Sequence, residues 1–247
     1  MTRSRQDLKS ANSVPRQLTQ SVLARALKLL PFLSEPLSQV GDLAGFAQWK
    51  KRTFPNGAGA LFRQRERLWD AVVPSLAAAD ELIVFEFGVA WGYATKWWTS
   101  KLAAPRIEWH GFDLFTGLPT NWSRADREVA GVGAFSADGK TPDLDDPRIT
   151  WHVGDAVASL REMALPTVDR PKFLIFDLDL GAPTYECLET LIPILGPGDV
   201  LYFDEAFDAW NERKVIDELL VPNFTLKALG STATALALQI EARLTQT

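Results

Sequence analysis

From Glu81 onward the chain is punctuated by short, almost wholly apolar runs that end in glycine or an acid: LIVFEFG, RIEWHGFD, RITWHVGDA, KFLIFDLD, DVLYFDE, FTLKALG and ATALALQIE. Runs this short and this apolar leave no polar face, so each must be buried on both sides, as the strands of a helix-covered parallel sheet are. Helical windows lie between most of them, and strands alternating with helices specify a doubly wound α/β sheet. The last two runs are separated by little more than Gly230 and Ser231. That is too short for a crossover helix, so an antiparallel hairpin at one edge of the sheet is expected.

Residues 1–58 lack this texture and are expected to form an N-terminal helical extension with a disordered start, leaving 59–247 as the catalytic-size domain. Pro15, Pro31, Pro36 and Gly41 divide the extension into helix fragments. Six Lys/Arg and one acid, Asp7, fall between Met1 and Ser34. With the amphipathic QLTQSVLARALKLLPFL they admit an interfacial helix or a transit-like segment; a docking or cap helix is the simpler expectation. Such apolar helices are also where a second copy would pack, so a homo-oligomer is open. The window ALFRQRERLWDAVVPSLA then places Leu61, Leu68, Trp69, Val72 and Val73 at helical spacing, with its Arg and Glu residues outward.

Composition narrows the partners. A formal charge of −5 with no long basic block argues against a nucleic-acid groove and favours a small molecule. The single cysteine, Cys187, has no partner for a disulfide or a zinc site, which suits a reducing cytoplasm. No apolar run is long enough to span a membrane.

Acids stand at the ends of the strand runs. Glu86 precedes the pair Gly88 and Gly92, Asp113 closes the second run, and Asp155 closes the third. In a doubly wound sheet, ligands sit outside the carboxyl ends of the strands, where glycine lets the backbone approach them and an acid can accept ribose hydroxyl protons. Helix caps and plain turns are the competing reading of each acid. The spacing lacks the GxGxxG of a dinucleotide fingerprint, which counts against a nicotinamide oxidoreductase. Asp177 and Asp179 end the fourth run, and Asp204 and Glu205 the fifth. Oxygen ligands from two neighbouring strand ends suit a hard cation such as Mg²⁺. His110 and His152 are expected to be structural, Trp97 and Trp98 to be core, and Trp91 to border the pocket. Trp122 and Phe135 are expected in a lid.

The order EFGVAWG, GFDLFTGLPTNW, VGAFSADGK and FDLDLGAPTYECLETLIPILGPGDVLYFDE resembles the class I S-adenosylmethionine-dependent methyltransferases of the macrocin O-methyltransferase type, over roughly residues 80–207. The resemblance implies a Rossmann-like doubly wound sheet of seven strands and methyl transfer to the hydroxyl of a small molecule. It places Glu86, Gly88, Val89, Ala90 and Gly92 along the methionine and ribose of the cofactor. Asp113, with Leu114, would hold the ribose, and Asp155 and Ala156 would lie near adenine. Asp177, Asp204 and Glu205 would ligate Mg²⁺, which would lower the pKa of the acceptor hydroxyl. Asp179 would lie near the substrate and take its proton. The family reads DLYES and Asp-Asp where this chain has DLGAPT and Asp204-Glu205. Those departures leave a second reading open, that of a catalytically silent cofactor-binding partner protein.

Overall fold

The structure, a computed structural model, describes residues 34–77, 79–102, 106–124, 127–167 and 169–245. The expectations for residues 1–33 lie outside these. Two compact units are present, Met1–Ala44 and Gly45–Thr247.

Helix α1 (Ser34–Thr53) runs unbroken through Pro36 and Gly41, against the expectation of separate fragments. Pro36 falls in the first turn, where a missing N–H interrupts no helical bond. Phe46 and Trp49 in its second half are buried, as is Phe54 beyond it, and all three join the apolar core of the second unit. They are therefore core rather than appendage, and the Trp49 indole N–H is anchored on Asp217 Oδ1 at 2.8 Å. After the two-residue strand β1 (Ala60–Leu61), helix α2 (Arg65–Ala77) buries Leu68, Trp69, Val72 and Leu76. Leu61, expected on that helical face, lies in β1 and is exposed.

All seven apolar runs form strands: β2 (Glu81–Phe87), β3 (Arg106–Asp113), β6 (Ile149–Val153), β7 (Lys172–Phe176), β8 (Val200–Phe203), β9 (Phe224–Ser231) and β10 (Leu236–Arg243). The sheet order is β1-β9-β10-β8-β7-β2-β3-β6, so β1 adds an eighth strand outside the hairpin. Only β10 runs antiparallel to its neighbours. Helices α3 (Tyr93–Lys101), α4 (Ala156–Glu162) and α5 (Gly181–Leu191) follow β2, β6 and β7. The four-residue α6 (Glu212–Val215) follows β8 and leads into a π turn, Ile216–Leu220. A separate hairpin, β4 (Trp122–Arg124) with β5 (Arg127–Ala130), stands in the segment expected to be a lid.

Apolar packing covers both faces of the sheet. On one, Trp98 of α3 is fully buried and meets Phe173 edge-on at 4.7 Å, with Trp69 beside it. Each such side chain contributes on the order of 2 kcal/mol by leaving water. Chain order reverses between β2 and β7, because β3 and β6 extend to one side of β2 while β7, β8 and the hairpin extend to the other. That reversal opens a crevice at the strands' carboxyl ends.

Candidate active site

A cleft of ≈ 780 Å³ occupies this crevice. Its floor is set by a close approach of two backbones. Asp177 N–H donates to Phe87 O at 2.9 Å, Gly88 has φ +88°, and a Cβ at position 88 would lie 1.9 Å from the Asp177 carbonyl oxygen. Only glycine fits there.

Of the residues expected at the cofactor, Gly88, Val89, Ala90, Asp113, Leu114, Asp155 and Ala156 line the cleft, whereas Glu86 and Gly92 do not. Gly92 is the N-cap of α3 in a left-handed conformation. Glu86 is fully buried beneath the turn, where its Oε2 accepts from Thr95 Oγ1 at 2.7 Å and from Trp109 Nε1 at 2.9 Å. It ties β2 to α3 and β3. Burial pushes its carboxyl up to about 7, against the two hydrogen bonds, which favour the ionised form.

Asp113 is likewise engaged. Its Oδ2 accepts the Val89 and Ala90 N–H groups at 2.7 and 2.8 Å, and its Oδ1 accepts Phe115 N–H at 2.6 Å. The acid thus holds the turn after β2, including Ala90 at φ +48°. Asp155 caps α4 through the Ala158 N–H at 2.8 Å while also facing the cleft.

Strand β7 stops at Phe176, so the alternation expected to align Asp177 with Asp179 does not reach them. Asp179 sits at φ +61°, and both acids nonetheless line the cleft with Asp204 and Glu205. Burial, then the charges of Asp204 and Asp179, drives the Asp177 carboxyl well above the usual range, with Arg65 opposing. Asp204 Oδ1 accepts from the Tyr202 hydroxyl, and its Oδ2 lies 3.7 Å from Arg65 Nη1. Carboxylate oxygens are the right chemistry for a hard cation. Among the described residues, however, no three His, Cys, Asp or Glu side chains are grouped so as to hold a metal ion. The magnesium expected from the resemblance finds no assembled ligand set.

Three features escaped the sequence. Arg65, the first residue of α2, lines the cleft instead of facing outward. Glu212 is buried and accepts the Glu205 N–H at 2.8 Å, fixing the backbone behind the acids. Asp208, also buried, accepts from the Trp210 N–H and from Asn211 Nδ2, at 2.9 and 2.8 Å. Asn211 in turn packs on Gly181, where a Cβ would meet its Oδ1 at 2.8 Å. Trp91, Trp122 and Phe135 all line the cleft, with Trp91 64% exposed at its mouth. His110 and His152 bond each other at 3.0 Å away from it.

No protein-family model matches the chain, and no curated protein does. Among solved structures, the crystal structure of CalS11, a calicheamicin methyltransferase, is 20% identical with a TM-score of 0.50, covering 97% of this chain and 94% of that one. The O-methyltransferase NovP is 19% identical with a TM-score of 0.49, covering 71% of this chain and 80% of its own. The chain shares the Rossmann-like fold of CalS11. In that fold the cleft at the β2–β7 reversal is where the strand order places a ligand. No described helix is long and apolar enough to cross a membrane.

Proposed function

We propose that this chain is an S-adenosylmethionine-dependent methyltransferase acting on a hydroxyl of a small molecule. The observation that carries the reading is the charge of the cleft: seven carboxyl groups line it against two guanidinium groups, Arg65 and Arg161. Such walls attract a sulfonium cation and repel the pyrophosphate of a nicotinamide dinucleotide. Gly88 keeps the turn after β2 tight against the Asp177 backbone, which sets the floor on which a ligand in the cleft would rest.

Bound S-adenosylmethionine supplies an electrophilic methyl: the acceptor oxygen's lone pair forms the new C–O bond while the C–S bond breaks with its pair on sulfur, giving a methyl ether and S-adenosylhomocysteine. The chain's part is to place the two reactants and to receive the acceptor's proton. Gly88, Val89, Ala90, Asp113, Asp155 and Ala156 would hold the cofactor. Asp177 and Asp179, which line the cleft past the end of β7, would take the hydroxyl proton. Trp91, Trp122 and Phe135 would exclude water and present apolar surface to the acceptor.

Calorimetry tests the reading directly. S-adenosylmethionine and S-adenosylhomocysteine are expected to bind and NAD not to. Failure of both sulfur ligands to bind at high micromolar concentration would sink it. Because the carboxylates are not gathered round a metal site, turnover is expected to persist in EDTA. Activity lost on chelation and regained with Mg²⁺ would show that Asp177, Asp204 and Glu205 close on an ion.

A further inference from the structure

Arg65 is placed where helix stability does not want it. A cation in the first turn of α2 faces the positive end of the helix dipole, at a cost of a few tenths of a kcal/mol. Its guanidinium is nonetheless held firmly, 5.2 Å from the ring centre of Trp69 and 5.2 Å from that of Tyr93. Tyr93 is itself fixed by donating to Glu66 Oε1 at 2.9 Å. Its two carboxylate neighbours are Asp204 Oδ2 at 3.7 Å and Glu66 Oε1 at 3.8 Å. Both are beyond hydrogen-bond reach. Among the described residues, then, none of the five N–H donors of Arg65 is used, although its side chain is only 38% exposed and lines the cleft beside Asp177 and Asp204.

A clamped guanidinium with unspent donors, next to carboxylates that can take a proton, is a complementary pair. One partner accepts the proton of a hydroxyl, and the other receives the oxygen that the proton leaves behind. We propose that Arg65 is a catalytic residue of this site, donating to the acceptor oxygen and carrying the positive charge that steadies it as it ionises. It occupies the role that the resemblance gave to a metal. The proposal rests on the methyl-transfer reading and names the residue that activates the nucleophile within it.

The test uses 4-nitrophenol, whose ionised form is read by its colour, titrated into the full chain saturated with S-adenosylhomocysteine at pH values on either side of the probe's own ionisation. The wild type is expected to bind the phenolate at least about tenfold more tightly than the phenol, a preference equivalent to about one pKa unit. Arg65→Met is expected to abolish that preference while S-adenosylhomocysteine affinity stays within about twofold, and Arg65→Lys to retain part of it. Addition of guanidinium ion to Arg65→Ala is expected to restore phenolate binding, which a purely structural role would not allow. A wild type without the preference, or an Arg65→Met variant that keeps it, overturns the proposal alone. A wild type that binds no S-adenosylhomocysteine brings down the methyl-transfer reading, and the proposal with it.

Discussion

Gly88→Ala is expected to lose about 3 kcal/mol of stability or more and to bind no S-adenosylmethionine. Two costs combine at this position. The backbone is at φ +88°, a region that costs an L-residue on the order of 1 to 3 kcal/mol. The new methyl would also lie 1.9 Å from the Asp177 carbonyl oxygen, and relieving that overlap means parting β2 from β7. Overpacking in a well-packed region costs about 1 to 3 kcal/mol on its own. The strands are joined there by the Asp177 N–H to Phe87 O bond, so the separation would also disturb the acids at 177 and 179. Denaturant unfolding measures the first effect and calorimetry the second. A variant within about 1 kcal/mol of the wild type that still binds the cofactor would show that the junction is not the rigid floor described.

The second large effect is a dependence of stability on pH that originates in Glu86. Its carboxyl is pushed up to about 7 in the folded chain from an ordinary 4.5, chiefly by burial. Between these values the folded state holds a proton that the unfolded chain has released. The resulting stability is therefore fully present below about 4.5 and is lost as pH rises to about 7, after which nothing further changes. The shift corresponds to about 3 kcal/mol. Glu86→Gln stays neutral and keeps an oxygen for Thr95 and Trp109, so the difference between variant and wild type isolates this one group. Measured by denaturant unfolding, the variant is expected to gain most of that amount relative to the wild type between about pH 5 and about pH 8. Parallel pH profiles for the two proteins would refute the assignment.

The sheet was legible in the sequence because burial on both faces forces a strand to be apolar along its whole length. LIVFEFG and KFLIFDLD admit no other placement in a chain rich in intervening helices. Six of the seven acids of the cleft were legible for a related reason: they terminate those runs, whereas Glu186 lies on α5. What could not be read depends on direction instead of spacing. Helical periodicity sorts Arg65 among the polar residues of α2. It cannot say that the first of them curls over the helix end toward the tips of two neighbouring strands. Glu86 lies within the strand, not past its end, and its side chain turns sideways under α3. Asp208 and Glu212 belong to a loop and a four-residue helix, where no period exists to mark a residue as buried. Pro36 misled because a proline signals a break only when it falls beyond the first turn.

The three amides gathered by Asp113 limit how a nucleoside can be received. A carboxylate has about four lone-pair directions, two on each oxygen. Oδ2 has spent both on Val89 and Ala90, and Oδ1 has spent one on Phe115. A ribose arriving at this acid therefore finds a single vacancy. One of its hydroxyls can donate without disturbing the turn, and the other must look to solvent or displace an amide. Under the proposed reading, sugar recognition at this position would be a half-filled grip, and a cofactor held that way could be let go after each turnover.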